Sequence, residues 1–130
     1  MVTAGELMKP ATTTVEREAH VAAAAYLMKR AGASALVVTT DDPARVPLAI
    51  VTDADIAQVV ADGRDVERTR IIDLVQRTPV TAGPDTPISE AAELMLASGV
   101  KHLPIVDDGR LVGLLDMAAA CEGLLASRSG

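Results

Sequence analysis

Ala49-Ile50-Val51-Thr52-Asp53-Ala54-Asp55 is the stretch whose reading decides the fold. Ile50 and Val51 suit a buried strand, and Thr52 suits the residue that caps a helix. Asp53 and Asp55 then fall in the first helical turn, where backbone N–H groups lack partners and negative charge is favoured. Taken alone, this is a strand that stops at a well-capped helix, since Ser or Thr followed three residues later by an acid is a common helix-start signature. It gains weight because the chain writes the same junction a second time.

Residues 5–39 align with 72–106 at a constant offset of 67, without a gap. Leu7 falls on Leu74, Thr14 on Thr81, Ala24-Ala25 on Ala91-Ala92, Leu27-Met28 on Leu94-Met95, Gly32 on Gly99 and Leu36 on Leu103. Beyond a polar turn the match resumes at offset 64, pairing Ala49 with Gly113 and Ile50-Val51 with Leu114-Leu115. An internal repeat of this kind governs the fold before any local feature does. The chain divides into a first repeat (1–62), a linker (63–71) and a second repeat (72–127), with the charged Asp62 to Arg68 expected to be exposed.

Each repeat reads alike. A short helix or turn (Gly5 to Met8; Ile72 to Val75) enters an extended stretch (Thr12 to Val15; Pro79 to Ala82). A helix follows, with Val21, Ala24, Ala25 and Met28, or Ile88, Ala91, Ala92 and Met95, at the i, i+3, i+4, i+7 spacing of one buried face. In the second copy Thr86 is placed to cap it, with Pro87 at the first helical position. Gly32 and Gly99 end the helices as left-handed caps. Then come a strand (Ala35 to Thr39; Leu103 to Val106), a polar turn, a second strand (Pro47 to Val51; Leu111 to Leu115) and a closing helix. Asp107-Asp108-Gly109 has the chemistry of a tight hairpin, whereas Asp41 to Arg45 is longer. The fold class is therefore α/β (α+β): two β-α-β-β-α units, each too small to be stable with one sheet face bare, packed sheet to sheet.

Composition narrows the function. With no Trp or Phe and a single Tyr, the chain has almost no aromatic surface on which bases could stack. A formal net charge of −6 argues in the same direction for duplex DNA, so nucleic acid is not an expected partner. One cysteine, Cys121, makes no internal disulfide, and the first residues show neither a basic nor an apolar leader, so a cytoplasmic location is expected. No apolar run approaches the ~20 residues of a membrane span. Cys121, His20 and His102 lie far apart, and neither a Gly-rich phosphate loop nor a metal-ligand spacing occurs; no catalytic constellation shows in the sequence, although distant residues can assemble one. Met28 and Met95 sit on the buried stripe, His20 near a helix start, and Tyr26 off the stripe, where it suits an exposed ring or a dimer contact.

These residues resemble the cystathionine-β-synthase (CBS) domain, which occurs in tandem pairs called Bateman modules. The likeness covers almost the whole chain. It rests on Leu7-Met8, on Gly99-Val100-Lys101-His102-Leu103-Pro104-Ile105-Val106-Asp107, on Gly109 through Leu115, and on Ala49 through Asp55, in order and twice over. The resemblance implies a pseudo-twofold pair of repeats that binds an adenosyl ligand such as AMP, ADP, ATP or S-adenosylmethionine in a cleft between them, with no required cofactor, and a chain that is not an enzyme. It also implies that Asp55 holds the ribose hydroxyls, with Thr52 near the ribose or phosphate. The backbone of Thr78, Pro79 and Val80 would edge the adenine, and Lys101 and His102 would face the phosphate beside Leu103 and Pro104. The chemistry suits these roles. A carboxylate accepts from both cis hydroxyls, and a helix N-terminus offers N–H donors to an anion. His102 lends charge only when protonated, from an ordinary pKa near 6.5.

The second junction departs from the pattern. Asp116-Met117-Ala118-Ala119 puts Ala119 where the carboxylate should be and Asp116 where the hydroxyl should be. Its other wall would be Thr12, Thr13 and the uncharged Ser34-Ala35-Leu36. One competent site per chain is expected. Given the acidic surface, a monophosphate or a cationic adenosyl compound would meet less repulsion than ATP without a divalent ion. The expected protein is a regulatory sensor, a homodimer acting through an unidentified effector protein or through its own assembly. The rival is a ligand-free interaction scaffold with vestigial sites, for which Ala49 in place of the family's usual Gly offers a small argument.

Overall fold

A computed structural model describes residues 1–11, 13–74 and 77–129. In chain order the elements are α1 (Ala4–Leu7), β1 (Lys9–Pro10), β2 (Thr14–Glu16), α2 (Val21–Ala31), β3 (Ala35–Thr39), β4 (Pro47–Thr52), α3 (Asp53–Ala61), a 3₁₀ turn (Ile71–Asp73), α4 (Ile88–Ser98), β5 (His102–Asp107), β6 (Arg110–Asp116) and α5 (Met117–Ser129). They form two small three-stranded sheets with helices, the mixed architecture expected from the sequence. Two compact units result, one Thr13–Thr78 and the other Met1–Thr12 with Pro79–Gly130. Thr12 and Val75, counted above in an extended stretch and an entry helix, lie outside the described residues.

In the Thr13–Thr78 unit the sheet order is β2-β3-β4. β2 runs parallel to β3, with Val15 opposite Val38, and β4 runs antiparallel, with Val51 opposite Leu36. β3 is buried at every position because it is the central strand, whereas β4 alternates and buries only Ala49 and Val51. The stripe of α2 closes this sheet through Ala24 and Met28; Ala25 is only half-buried. Val15, Leu36, Val38 and Ile71 complete the core.

The other unit has the order β1-β6-β5, antiparallel throughout. Its core joins Ile88, Ala91, Ala92 and Met95 of α4 to Leu103, Ile105 and Leu115 of the sheet, with Ala4 and Ala120 from the flanking helices. The hairpin closes at Asp107 opposite Arg110, and Asp108 and Gly109 both have positive φ (52° and 78°), as the tight turn requires. Gly32 and Gly99 are left-handed (φ 63° and 67°) and end α2 and α4 as the sequence suggests.

Two expectations need correction. α4 begins at Ile88 with Pro87 as its cap, one residue later than expected. Thr86 does not cap it because its hydroxyl accepts the Gly83 N–H (3.1 Å) and its carbonyl accepts the Ala4 N–H (2.8 Å). Residues 79–82 form no strand, only a single parallel bridge from Ala82 to Ile105. Asp62 to Arg68 is exposed apart from half-buried Val66, as expected, whereas Thr69 and Ile71 just beyond it are buried.

The burial of Thr69 and Ile71 exposes the logic of the fold. The Thr69 carbonyl accepts from Val21 N (2.9 Å), while Ile71 N donates to Ala19 O (2.9 Å) and Ile72 N to Arg17 O (3.0 Å). At the repeat offset of 67 the same three bonds recur: Ile88 N to Val2 O (3.0 Å), Ala4 N to Thr86 O (2.8 Å) and Gly5 N to Pro84 O (2.9 Å). Bridges follow suit, His20 with Arg70 and Thr3 with Pro87. Each entry segment caps the first long helix of the other sequence repeat. The repeats 1–62 and 72–127 therefore do not coincide with the compact units.

Candidate functional site

The β4–α3 junction is built by a reciprocal cap. Thr52 is extended (φ −118°, ψ 166°), so its side chain faces the first turn of α3. Its hydroxyl accepts the Asp55 N–H (3.3 Å) and donates to Asp55 Oδ2 (3.1 Å), which also accepts the Thr52 N–H (2.8 Å). Both residues are half-buried. Asp53 is exposed and turns Oδ1 back on the Ala54 N–H (2.8 Å), while its own N–H donates to Ser34 O (2.9 Å). The Asp55 carboxylate is thus partly committed: of about four lone-pair positions, two on Oδ2 serve Thr52. Oδ1 lies outside this ring of bonds and is the oxygen that a pair of hydroxyls would use.

The second junction has the same backbone and different chemistry. Met117 N donates to Lys101 O at 2.9 Å, the repeat equivalent of Asp53 N to Ser34 O at the same length. Here Asp116 is the capping residue, and its Oδ1 accepts the Ala119 N–H at 2.7 Å. Ala119 has no side-chain acceptor, so the reciprocal half of the cap made by Asp55 is missing here. Of the residues expected opposite it, Thr13 is half-buried, Ser34 exposed, and Ala35 and Leu36 buried.

The sequence-derived set divides between the compact units. Thr52, Asp55 and Thr78, the last exposed, belong to Thr13–Thr78. Pro79, Val80, Lys101, His102, Leu103 and Pro104 belong to the other, the last three on β5. There Ala82 N donates to Pro104 O (3.2 Å) and Val106 N to Ala82 O (2.8 Å), which aligns the 79–82 stretch with the strand. Pro79 and Val80 are half-buried, Val80 against the core. Lys101 is exposed at the head of β5, and half-buried His102 stands opposite Asp116. Leu103 is core and Pro104 is buried, with the Pro104 carbonyl already accepting from Ala82 N.

Sequence reasoning passed over another concavity. Thr14, Glu16, Thr39, Thr40, Asp41, Asp42, Pro43 and Arg45 line a groove of about 320 Å³. Asp42 Oδ1 organises its loop by accepting from Ala44 N (3.0 Å), Arg45 N (3.2 Å) and the Thr40 hydroxyl (3.1 Å). Glu16 is held above the usual carboxylate range, first by its hydrogen bond with Asp41 and then by repulsion from it. The signal was available, since Glu16 precedes a paired Asp41-Asp42 in the next turn of the same sheet, but register was needed to join them. Among the described residues no group of three or more His, Cys, Asp or Glu side chains could hold a metal ion, and no helix is long and apolar enough to cross a membrane.

Comparison with known proteins agrees with the repeat. The profile of the CBS domain matches residues 4–62 and again 71–124. An uncharacterized protein of Methanopyrus kandleri is 29% identical over 118 residues, covering 89% of this chain and 59% of that protein. The chain therefore spans less than two thirds of that relative's length. Among solved structures, a CBS domain protein of Pyrobaculum aerophilum complexed with AMP superposes with a TM-score of 0.85 at 25% identity, covering 99% of this chain and 100% of that one. A hexameric CBS-CP12 protein from bloom-forming cyanobacteria gives 0.83 at 25% identity, covering 93% and 70%.

Proposed function

The chain belongs to the CBS-domain family, with two copies of the domain in tandem, and from that premise we propose that it is a regulatory module that senses an adenosyl ligand. The observation that carries the proposal is the β4–α3 junction, where Asp55 is pinned through Oδ2; in this reading Oδ1 takes the two ribose hydroxyls. The AMP complex of the P. aerophilum relative supports the ligand class. Ala119 at the equivalent place supports one competent site per chain. In this reading Thr78, Pro79 and Val80 edge the adenine through their backbone, Lys101 and His102 meet the phosphate, and Leu103 and Pro104 contribute backbone beside them. AMP or S-adenosylmethionine is favoured over ATP on a surface of net charge −6. The module is regulatory rather than catalytic, and its output runs through a homodimer or a separate effector protein.

One observation favours a second reading, a ligand-free scaffold: Thr52 already occupies one oxygen of Asp55, and the other junction has Ala119 where that carboxylate would stand. Thermal unfolding against AMP, ADP, ATP with and without magnesium, and S-adenosylmethionine separates the two. A ligand at a hundred times its dissociation constant adds about 2.7 kcal/mol, a shift of several degrees for a chain this size. The sensor gives that shift with one compound and loses it in Asp55→Asn. The scaffold gives a flat panel with folded protein.

A further inference from the structure

α2 and α4 are repeat equivalents with the same buried stripe, yet their solvent faces differ in sign. At the offset of 67, Tyr26, Lys29 and Arg30 of α2 fall on Glu93, Leu96 and Ala97 of α4, and Ala23 falls on Glu90; all of these are exposed. Lys29 and Arg30 are the only charged residues of α2, and Glu90 and Glu93 the only ones of α4. Each face also carries one large apolar group that its own chain leaves uncovered, Tyr26 at 56% exposure and Leu96 at 71%.

The α2 face is held ready for an acid. Arg30 Nη1 donates to the Tyr26 hydroxyl (3.1 Å), and the guanidinium carbon lies 5.9 Å from the centre of the Tyr26 ring. A guanidinium fixed in this way keeps further N–H donors for a carboxylate. Thr13, Leu27 and Ala31 complete a groove of about 360 Å³ beside the pair. Among the described residues, Lys29, Glu90 and Glu93 have no ion-pair partner. If α2 of one copy lies antiparallel to α4 of another, with Tyr26 beside Glu93, then Lys29 and Arg30 meet Glu90, and Leu96 meets the small Ala22 and Ala23. The basic C-terminal end of α2 then runs beside the acidic N-terminal end of α4, which also opposes the two helix dipoles. The same crossing of α4 on a second α4 would set Glu93 against Glu93.

We infer that the α2 face of one copy docks on the α4 face of a second copy of the chain, joining unlike faces rather than like on like. This rests on the homodimer proposed above and specifies which faces meet. Complementary charge orients the encounter and rejects the like-on-like pairing, while Tyr26 and Leu96 supply the apolar contact that the charges surround.

The test is sedimentation velocity of the nucleotide-free full chain with one face reversed, Lys29→Glu/Arg30→Glu or Glu90→Lys/Glu93→Lys, and with both reversed in the same chain. Either reversal alone should raise the self-dissociation constant by roughly tenfold or more, because like charges then meet. Reversal of both should return it to within a few-fold of the parent's, a recovery that a damaged fold cannot give. Lys29→Gln/Arg30→Gln and Glu90→Gln/Glu93→Gln, which exchange one helix former for another, should each weaken association several-fold. An associating parent weakened by neither the reversals nor the Gln pairs, or reversals that fail to compensate in a folded chain, overturns this contact and leaves the homodimer standing. A parent that stays monomeric at millimolar concentration overturns both.

Discussion

Replacing Asp55 tests the geometry of the site before any ligand is added. In Asp55→Ala both bonds to Oδ2 disappear, the Thr52 N–H at 2.8 Å and the Thr52 hydroxyl at 3.1 Å, and so does the negative charge in the first turn of α3. Loss of a cap costs typically about 1 kcal/mol and loss of a helix-start charge about 0.3–1 kcal/mol, which places the variant about 1.5 kcal/mol below the parent. For a chain of 130 residues that is a fall in Tm of about 5 °C. Asp55→Asn keeps an oxygen for the Thr52 N–H and loses only the charge, so it should fall by about 2 °C. The assay is thermal unfolding of the three proteins side by side without nucleotide. Equal Tm for Asp55→Ala and the parent would refute the reciprocal cap. It follows that Asp55→Asn, not Asp55→Ala, is the clean variant for binding, because its loss of affinity is not mixed with a loosened helix.

Gly113→Ala should cost about 1–3 kcal/mol, because the added methyl meets the Lys9 carbonyl, which is backbone and cannot step aside. Urea unfolding that leaves the midpoint in place would contradict the seating of β1 on β6. Gly32→Ala and Gly99→Ala should each cost about 1 kcal/mol despite open space around them, since both positions hold positive φ (63° and 67°); the same titration checks it. Glu16→Gln should flatten the dependence of stability on pH. The carboxyl of Glu16 sits above its ordinary 4.5 in the folded chain, so its contribution is present below that value and lost as pH rises through the folded pKa. Tm measured from pH 4 upward should decline more steeply in the parent than in Glu16→Gln, and identical slopes would count against the Glu16–Asp41 bond.

Much of the fold was legible because the chain states it twice. The stripes Val21-Ala24-Met28 and Ile88-Ala91-Met95 and the caps at Gly32 and Gly99 follow from spacing and from glycine's freedom at positive φ. The exchange of entry segments was not legible from local pattern. Asp62 to Arg68 is charged and reads as a tether, and the burial of Thr69 and Ile71 shows only in their equivalence to Val2 and Ala4, which are themselves placed by long-range backbone bonds. At the site, Thr52 and Asp55 could be named from a four-residue spacing. That one carboxylate oxygen is already spent could not, because the donors to Oδ2 depend on the extended backbone of Thr52. The Glu16–Asp41 pair was missed for a related reason, since it joins the end of β2 to a turn beyond β3 and exists only once the parallel register is set.

The central claim is that one adenosyl ligand binds per chain and is held on Asp55. Isothermal titration calorimetry of AMP and of S-adenosylmethionine into the full chain, with Asp55→Asn beside it, tests this most directly. The account predicts saturable binding of one of them at one molecule per chain, abolished in Asp55→Asn while that variant stays folded. Saturation at two per chain, binding unchanged in Asp55→Asn, or no binding of either compound to folded protein would contradict it.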